Sequence, residues 1–250
     1  MPRNEQKLYE MARAHWCAPG ERLAMGDRAA GHIGGAVGGR IVAPYPPASG
    51  AGGPVPDPGW PLPTEPVGSG RIWNDEWADD PVIWGWAHAA DSGAAAAAVA
   101  GHMAGYGDEA WLLLTDRRLA VAVESRFARP DEPSGGGLRG RARALLADRT
   151  PGGHRTPGGH RTPVGDRASG GDRVSGGEHG AAPASDAPLT TCWQVPFAAV
   201  RGLRAVALGR GNVPEWFVRI DFADGSAFDF RPRRGADASK YVASVYTGLP

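Results

Sequence analysis

Alternating apolar and polar positions predict strands in the last quarter of the chain. EWFVRIDF (215–222) places tryptophan, valine and isoleucine on one side and phenylalanine, arginine and aspartate on the other, the period of two that is typical of a β-strand. AFDFR (227–231) follows after a short polar break, and Asp224-Gly225 within that break is a strong hairpin signal. Two further runs, 189–197 and 200–208, are also interpreted as strands.

A second hairpin is predicted around the sequence TDRR. In EAWLLLTDRRLAVAVES (109–125) a run of leucines is interrupted at Asp116-Arg117, after which leucine and valine alternate with alanine. Two strands joined by a tight turn fit this pattern better than a helix, because the segment has no charged helical face and its β-branched residues cluster late. We expect Asp116 to accept a hydrogen bond from a backbone N–H in the turn.

The segment 81–88 is predicted as a strand with unusually large side chains on one face. Strict alternation places Val82, Trp84, Trp86 and His88 on that face, and Ile83, Gly85 and Ala87 on the opposite face.

Three segments have helical patterns. Residues 4–16 are interpreted as a short amphipathic helix that packs on the chain's own core rather than on a membrane, since it lacks a basic face. Asp91 and Ser92 are placed to cap a helix through the following alanines to about Met103. Because alanine supplies little apolar area, that helix must pack closely. Residues 236–249 form the third helix, with one apolar face.

Two long segments lack such patterns. Residues 34–70 are dominated by glycine and proline and are predicted as an extended surface loop. Residues 129–187 include five hexapeptide copies (149–178) with arginine in register. Because these copies offer only two valines for a core, we interpret 129–187 as a disordered insertion. ERLAMGDRAAGHI (21–33) is compatible with a strand or with a further helical turn.

Three motifs, in this order, resemble the bacterial pleckstrin-homology-like domains, which are related to GRAM domains and are common in actinobacterial proteins. LLLTDRRLAVA resembles their lTdrRl hairpin, WQVPFAAVRGLR their w.ip…i..v strand and turn, and VRIDFADGSAFDF their l.i.f.dG…f.f hairpin. The resemblance covers about 80–128 and 188–250. It implies a mainly β fold of the α+β class: a split β-barrel of about seven antiparallel strands in two nearly orthogonal sheets, closed at one corner by the C-terminal helix.

These patterns divide the chain into five parts. They are an N-terminal helical extension (1–33), a Gly/Pro-rich loop (34–70), the first part of the pleckstrin-homology-like domain (71–128), the hexapeptide-repeat insertion (129–187) and the second part of the domain (188–250). The residues predicted as largely core are Leu112, Leu114, Leu119, Val121, Trp193, Val195, Val218, Ile220, Phe228, Phe230, Tyr241 and Val245.

Composition limits both the folded part and the class of function. Of 250 residues, 38 are glycine and 23 are proline, so the folded part must be smaller than the chain. The 27 basic and 27 acidic residues balance, and we therefore expect no nucleic-acid partner. Cys17 and Cys192 are far apart in sequence, and we see neither a signal peptide nor an apolar run long enough to span a bilayer. These features predict a cytoplasmic protein.

The sequence contains no motif that would indicate catalysis. GxSxG, HExxH, a phosphate loop and a dinucleotide fingerprint do not occur, and the histidines do not cluster with carboxylates at catalytic spacing. We therefore expect a non-catalytic protein, with no catalytic residue, metal site or cofactor.

Arg117, Arg118 and Arg201 are candidate contacts for a partner or a lipid. In eukaryotic pleckstrin-homology domains, basic residues between the first two strands usually hold the phosphoinositide headgroup, but the corresponding segment here (89–110) contains no lysine or arginine. The simpler interpretation is that Asp116 and Arg118 stabilise the turn and one another, while Arg117 is solvated.

Trp73, Trp77, Trp84 and Trp86 form the second group of candidate contacts. Four tryptophans are more large aromatic side chains than a solvent-facing surface requires, so they either include a partner site or cover the flank of the domain. We therefore expect a binding or scaffolding protein with a protein or peptide partner, and peripheral binding to anionic lipid is the alternative.

Overall fold

The computed structural model describes residues 5–48, 59–128, 188–211, 213–232 and 237–249. Its strands are β1 (Leu23–Arg28), β2 (His32–Val37), β3 (Arg40–Val42), β4 (Ile83–Ala89), β5 (Trp111–Thr115), β6 (Arg118–Glu124), β7 (Leu189–Pro196), β8 (Val200–Leu208), β9 (Glu215–Phe222) and β10 (Ala227–Phe230). Its α-helices are α1 (Glu5–Met11), α2 (Glu65–Gly68), α3 (Ala95–Tyr106) and α4 (Ala238–Gly248). The predicted insertion 129–187 lies outside the described residues.

The strands form two sheets. The four-stranded sheet has the order β1-β5-β6-β7, and the six-stranded sheet has the order β3-β2-β4-β10-β9-β8. All pairings are antiparallel except that of β2 with β4. The fold is therefore mixed, with both helices and sheets, as the sequence predicts. The predicted barrel of about seven antiparallel strands is too simple, because the described chain has ten strands, one parallel pairing and no closed barrel.

The N-terminal residues contribute more to the sheets than the sequence predicts. The segment 21–33 supplies β1 and the start of β2, and the predicted loop 34–70 supplies the rest of β2 and all of β3. Position 34 of β2 is occupied by glycine because a Cβ atom there would overlap the Trp86 ring of the neighbouring strand β4. Glycine here permits close packing between strands and does not mark a loop.

Three apolar clusters hold these elements together. The main core lies between the two sheets and includes α3 and one face of α4. The outer cluster lies on the opposite face of the six-stranded sheet and contains Trp77, Trp86 and Phe217. A third cluster forms where α1 and its π-helical continuation (Ala12–Trp16) cover the outer face of the four-stranded sheet through Leu8 and Ala12. The N-terminal helix thus packs on the chain's own sheet, as its apolar stripe predicts.

The alanine-rich helix α3 is buried among strands of both sheets. Its small side chains let it approach them closely, as expected for a helix that is apolar on every side. Its N-terminus is not capped by Asp91, which instead accepts from the N–H of Gly93. The β9–β10 turn supplies the cap: Asp224 accepts from the N–H of Ala95 at 2.8 Å, and Ser226 from that of Ala96 at 3.1 Å.

Most of the predicted core is buried. Leu112, Leu114, Leu119, Val121, Val218, Ile220, Phe228, Phe230 and Val245 are at most 1% exposed, whereas Trp193, Val195 and Tyr241 are only partly buried against the same core. β7 lies at an edge of its sheet, which explains the exposure of Trp193 and Val195.

Helix α4 contacts the edge strand of each sheet, β1 and β8. The Tyr246 hydroxyl accepts from the N–H of Leu203 at 2.9 Å and lies 3.1 Å from the carbonyl of the same residue, to which it donates. One phenol therefore satisfies both backbone groups that β8 directs away from β9 at this position, and it protects the edge from pairing with another strand.

Candidate functional site

The structure separates the four tryptophans that the sequence groups together. Trp77, Trp84 and Trp86 are buried, whereas Trp73 is 74% exposed. Trp84 and Trp86 do not share a face as predicted, because a bulge beside Gly85 adds one residue to β4 relative to β2. Trp84 therefore packs in the main core and Trp86 in the outer cluster. Of the four, Trp73 is the one placed to contact a partner.

The outer cluster supports the segment that carries Trp73. Trp77 stacks on Trp86 with ring centroids 4.8 Å apart and an interplanar angle of 4°, and it meets Phe217 edge to face at 5.0 Å. Stacked and edge-to-face pairs each add about 1 kcal/mol beyond the burial of apolar area. The segment is therefore held firmly on the outer face of the six-stranded sheet.

Trp73 begins a tight turn of fixed geometry, which we call the Trp73 turn (residues 73–76). The N–H of Glu76 donates to the Trp73 carbonyl at 3.1 Å, and the N–H of Trp73 donates to the Glu76 carboxylate at 2.7 Å. Asn74 has a φ of 52°, in the left-handed region that asparagine tolerates better than most residues. The exposed indole thus projects from an ordered backbone.

Two carboxylates fasten this segment to the turn between β8 and β9. The N–H of Gly209 donates to Asp75 at 2.9 Å, and the N–H of Arg210 donates to Asp79 at 2.9 Å. Gly209 has a φ of 89°, and a Cβ atom at this position would overlap the Asp79 carboxylate. Glycine is therefore required here for both its backbone angle and its lack of a side chain.

The charges around the Trp73 turn do not balance. The N–H of Trp73 and then the Arg210 guanidinium lower the pKa of Glu76. Glu76 in turn raises the pKa of Arg210, and Asp75 and Asp79 add to that increase. Three carboxylates therefore interact with the Arg210 guanidinium, and this part of the surface is acidic.

A second polar group, which we call the outer polar cluster, lies on the same face of the sheet. Asp229 is fully buried, accepts from His88 Nε2 at 2.8 Å and accepts two hydrogen bonds from the Arg219 guanidinium at 2.6 Å. Burial alone would raise the pKa of Asp229, but the hydrogen bonds from Arg219 and His88 outweigh burial and lower it. The pKa of Arg219 is raised, chiefly by its hydrogen bond to Asp229 and to a smaller extent by the negative charge of Asp75.

An ionised Asp229 fixes the tautomer of neutral His88. A carboxylate only accepts, so Nε2 must carry the proton that it donates to Asp229. Arg219 lies 3.4 Å from the same nitrogen, but Nε2 has no lone pair left to accept from the guanidinium. Sequence analysis missed this contact between a histidine and a carboxylate, because the two residues are 141 positions apart.

The TDRR corner is structural, although its pairs differ from those predicted. Arg118 pairs with Glu21 at 2.9 Å and lies over the Trp16 ring at 4.0 Å, whereas Asp116 accepts from the N–H of Arg22 at 3.0 Å. The predicted mutual stabilisation of Asp116 and Arg118 is therefore wrong. The N-terminal segment, which sequence analysis did not place here, supplies both partners.

Arg117 and Arg201 are both exposed. Arg117 donates to the Pro19 carbonyl and Arg201 to the Ala223 carbonyl, each at 3.2 Å. A carbonyl oxygen does not neutralise a guanidinium, so both side chains present positive charge to solvent.

The described part of the chain contains no group of three or more histidine, cysteine, aspartate or glutamate side chains arranged to hold a metal ion. None of its helices has both the length and the apolar character needed to span a bilayer. Concavities of about 250 and 320 Å³ flank the β9–β10 turn, and His88 lines neither of them.

Comparisons with known proteins give no relative for this chain. No protein-family model matches it, and no match is found among curated proteins or solved structures. Function must therefore be inferred from the residues of the chain itself.

Proposed function

We propose that this chain is a non-catalytic binding protein that contacts a protein or peptide partner through a surface centred on Trp73. The observation that carries the proposal is the 74% exposure of a tryptophan on an ordered turn. Tryptophan is enriched among the residues that dominate protein–protein binding energy, because it buries a large area at a small cost in side-chain entropy.

The surroundings of Trp73 support this role. Glu76, Asp75 and Asp79 hold the backbone of the segment in place, so little ordering remains to be done when a partner binds. The other three tryptophans of the group pack inside the chain, Trp84 in the main core and Trp77 and Trp86 in the outer cluster. Their side chains are therefore buried and cover the domain's own strands.

Affinity capture with matched variants tests the proposal. The wild-type chain, Trp73→Ala and Trp216→Ala serve as baits in an extract of the native cells, and bound proteins are identified by mass spectrometry. Trp216 is a suitable control because it is 48% exposed and lies on β9 next to Phe217, so it faces the opposite side of the sheet from the outer cluster. We expect a polypeptide that is retained by wild type and Trp216→Ala but lost with Trp73→Ala; capture that ignores Trp73 would contradict the proposal.

Peripheral binding to anionic lipid is the second candidate, and the exposed charges of Arg117 and Arg201 favour it. Co-sedimentation with phosphatidylglycerol vesicles, compared with phosphatidylcholine vesicles, separates the two functions. Salt-sensitive binding that is lost with Arg117→Ala or Arg201→Ala would replace the protein-partner proposal with a lipid one.

The likeness to bacterial pleckstrin-homology-like domains is also a proposal. It is supported by the TDRR hairpin of β5 and β6, the Asp-Gly hairpin of β9 and β10, and a C-terminal helix that contacts both sheets. Enzymatic activity is the third candidate, for which the contact between His88 and Asp229 is the supporting observation. We retain the non-catalytic proposal, because Asp229 is fully buried and both of its oxygens already accept hydrogen bonds from Arg219 or His88.

A further inference from the structure

We propose that the Trp73 turn recognises an arginine- or lysine-bearing peptide segment, whose cationic side chain lies on the indole and faces the carboxylates of Asp75 and Asp79. This inference rests on the proposed binding function and adds the chemistry of the partner. Two features of the surface support it, an exposed aromatic ring and an excess of negative charge. The third support is a similar set of contacts between arginine, tryptophan and glutamate elsewhere in the chain.

The exposed indole offers a face to a cation. Trp73 is 74% exposed, and tryptophan is the best of the aromatic side chains for cation–π contact. Its backbone N–H and carbonyl are both used within the turn. The side chain is therefore the part of the residue that is available to a ligand.

The excess of negative charge favours a ligand that carries positive charge. Glu76 forms an ion pair with Arg210, whereas the hydrogen bonds that hold Asp75 and Asp79 come from backbone N–H groups. A neutral backbone donor leaves the carboxylate charge in place. Arg219 also interacts with Asp75, but its own charge is balanced by its ion pair with Asp229. Arg210 therefore remains to balance Asp75, Glu76 and Asp79, which leaves a net charge of −2. Such a surface attracts cations and repels phosphate or acidic lipid headgroups.

The chain already contains the complete arrangement at the TDRR corner. There the Arg118 guanidinium lies 4.0 Å from the centroid of the Trp16 ring while it pairs with the Glu21 carboxylate at 2.9 Å. The segment 73–79 supplies the exposed Trp73 ring and the carboxylates of Asp75 and Asp79. A guanidinium or ammonium group from a partner would complete the same set of contacts.

Isothermal titration calorimetry with a short peptide of alternating arginine and glycine tests this inference. The matched control is the same peptide with citrulline in place of arginine, which keeps the shape of the side chain and removes its charge. We expect the arginine peptide to bind at low salt and to weaken as salt is added. We expect no measurable binding of the citrulline peptide.

Two protein variants locate the binding. Trp73→Ala should weaken the arginine peptide about two- to fivefold, the size of an exposed cation–π contact. Asp75→Asn combined with Asp79→Asn should weaken it further, while each amide oxygen still accepts the backbone hydrogen bond that holds the segment. Trp216→Ala should leave binding unchanged, and near-ultraviolet circular dichroism confirms that each variant is folded.

Each other outcome overturns the inference in a distinguishable way. Equal binding of both peptides would exclude cation recognition, although Trp73-dependent capture of a protein would still support the binding function. Binding of the arginine peptide that is insensitive to Trp73→Ala and to the paired Asn changes would place the cation elsewhere on the chain. Absence of binding at low salt would also reject the inference, whatever the capture experiment shows.

Discussion

Single residues on the outer face of the six-stranded sheet determine how firmly the candidate site is held. Asp229 lies at the centre of this face, fully buried between His88 and Arg219. Removing one member of a buried ion pair is costly, because the other member stays desolvated without its partner. Removing one member of the outer polar cluster should therefore be strongly destabilising whether or not the cluster contacts a ligand.

Asp229→Asn should lower the free energy of unfolding at neutral pH by about 3 kcal/mol, the lower end of the range for breaking a buried pair, since Arg219 keeps some access to water. Urea unfolding measures the change. Asp221→Asn on the neighbouring strand β9 is the matched control, because the Asp221–Arg204 pair is 34% and 55% exposed in its side chains. It should cost less than about 1 kcal/mol. Equal costs for the two variants would show that burial of Asp229 is not what matters.

The pH dependence of this effect has a definite sign. The pKa of Asp229 is lowered in the folded chain, so its contribution is fully present above the unfolded value of about 3.9 and is lost as pH falls through the folded value. Wild type should therefore lose more stability than Asp229→Asn on acidification below about pH 4. Parallel loss in both proteins would contradict the lowered pKa.

Gly209 lies where the segment 73–79 is hydrogen-bonded to the turn between β8 and β9. Gly209→Ala should cost more than about 2 kcal/mol, because it adds backbone strain and also displaces the Asp79 carboxylate from the Arg210 N–H. Gly225→Ala is the matched control: Gly225 has a φ of 85°, close to the 89° of Gly209, and has open space where a Cβ would lie. It should cost only about 1 kcal/mol. Thermal unfolding measures both, and equal costs would show that the overlap with Asp79 has no effect.

At the scale of elements, local patterns predict hairpins well. β5 with β6, and β9 with β10, follow from alternation and from turn residues that lie within a few positions of each other. The predicted strand 189–197 is observed as β7 (Leu189–Pro196). The prediction of a loop over 34–42 is wrong because it rests on glycine and proline content alone. In β2, the reason for Gly34 is a tryptophan from a strand about 50 positions later, which no local pattern reveals.

The candidate site was only partly predictable for the same reason. Trp73 is a candidate in the sequence, but nothing there distinguishes it from Trp77, since the exposure of each depends on how the turn and the short helix that carry them pack on the sheet. One bulge in β4 places Trp84 and Trp86 on opposite faces of the sheet, where strict alternation predicts a shared face. The partners of Asp75 and Asp79 at Gly209 and Arg210 lie more than 130 positions away.

Helix α4 should protect the edge of β8 through a single hydroxyl. Tyr246→Phe should leave the helix in place but expose the Leu203 N–H and carbonyl, at a cost of about 1 kcal/mol. Hydrogen exchange at the Leu203 amide should accelerate. Ser244→Ala on the same helix is the control, because the Ser244 hydroxyl donates to the Tyr241 carbonyl at an exposed position. Unchanged exchange at Leu203 in Tyr246→Phe would show that water or another group protects the edge.

At the scale of the whole molecule, the described residues around the predicted insertion form one closed hairpin. β6 and β7 are paired along their length, with Glu124 opposite Leu189. The N–H of Ser125 donates to the Pro188 carbonyl at 3.0 Å, and the side chains of Ser125 and Thr190 are hydrogen-bonded at 2.8 Å. The described residues on the two sides of the segment 129–187 are therefore held together by hydrogen bonds.

Replacing residues 129–187 with a short glycine–serine linker should leave the fold intact and raise its free energy of unfolding by at most about 2 kcal/mol, because a shorter loop costs less entropy to close. Urea unfolding measures the change. A longer deletion that also removes Leu189, which is buried against Leu8 and Trp111 in the third cluster, serves as the contrast and should destabilise strongly. A large loss of stability from the first replacement would show that 129–187 packs on the rest of the chain, and it would reject our interpretation of the repeats as a disordered insertion.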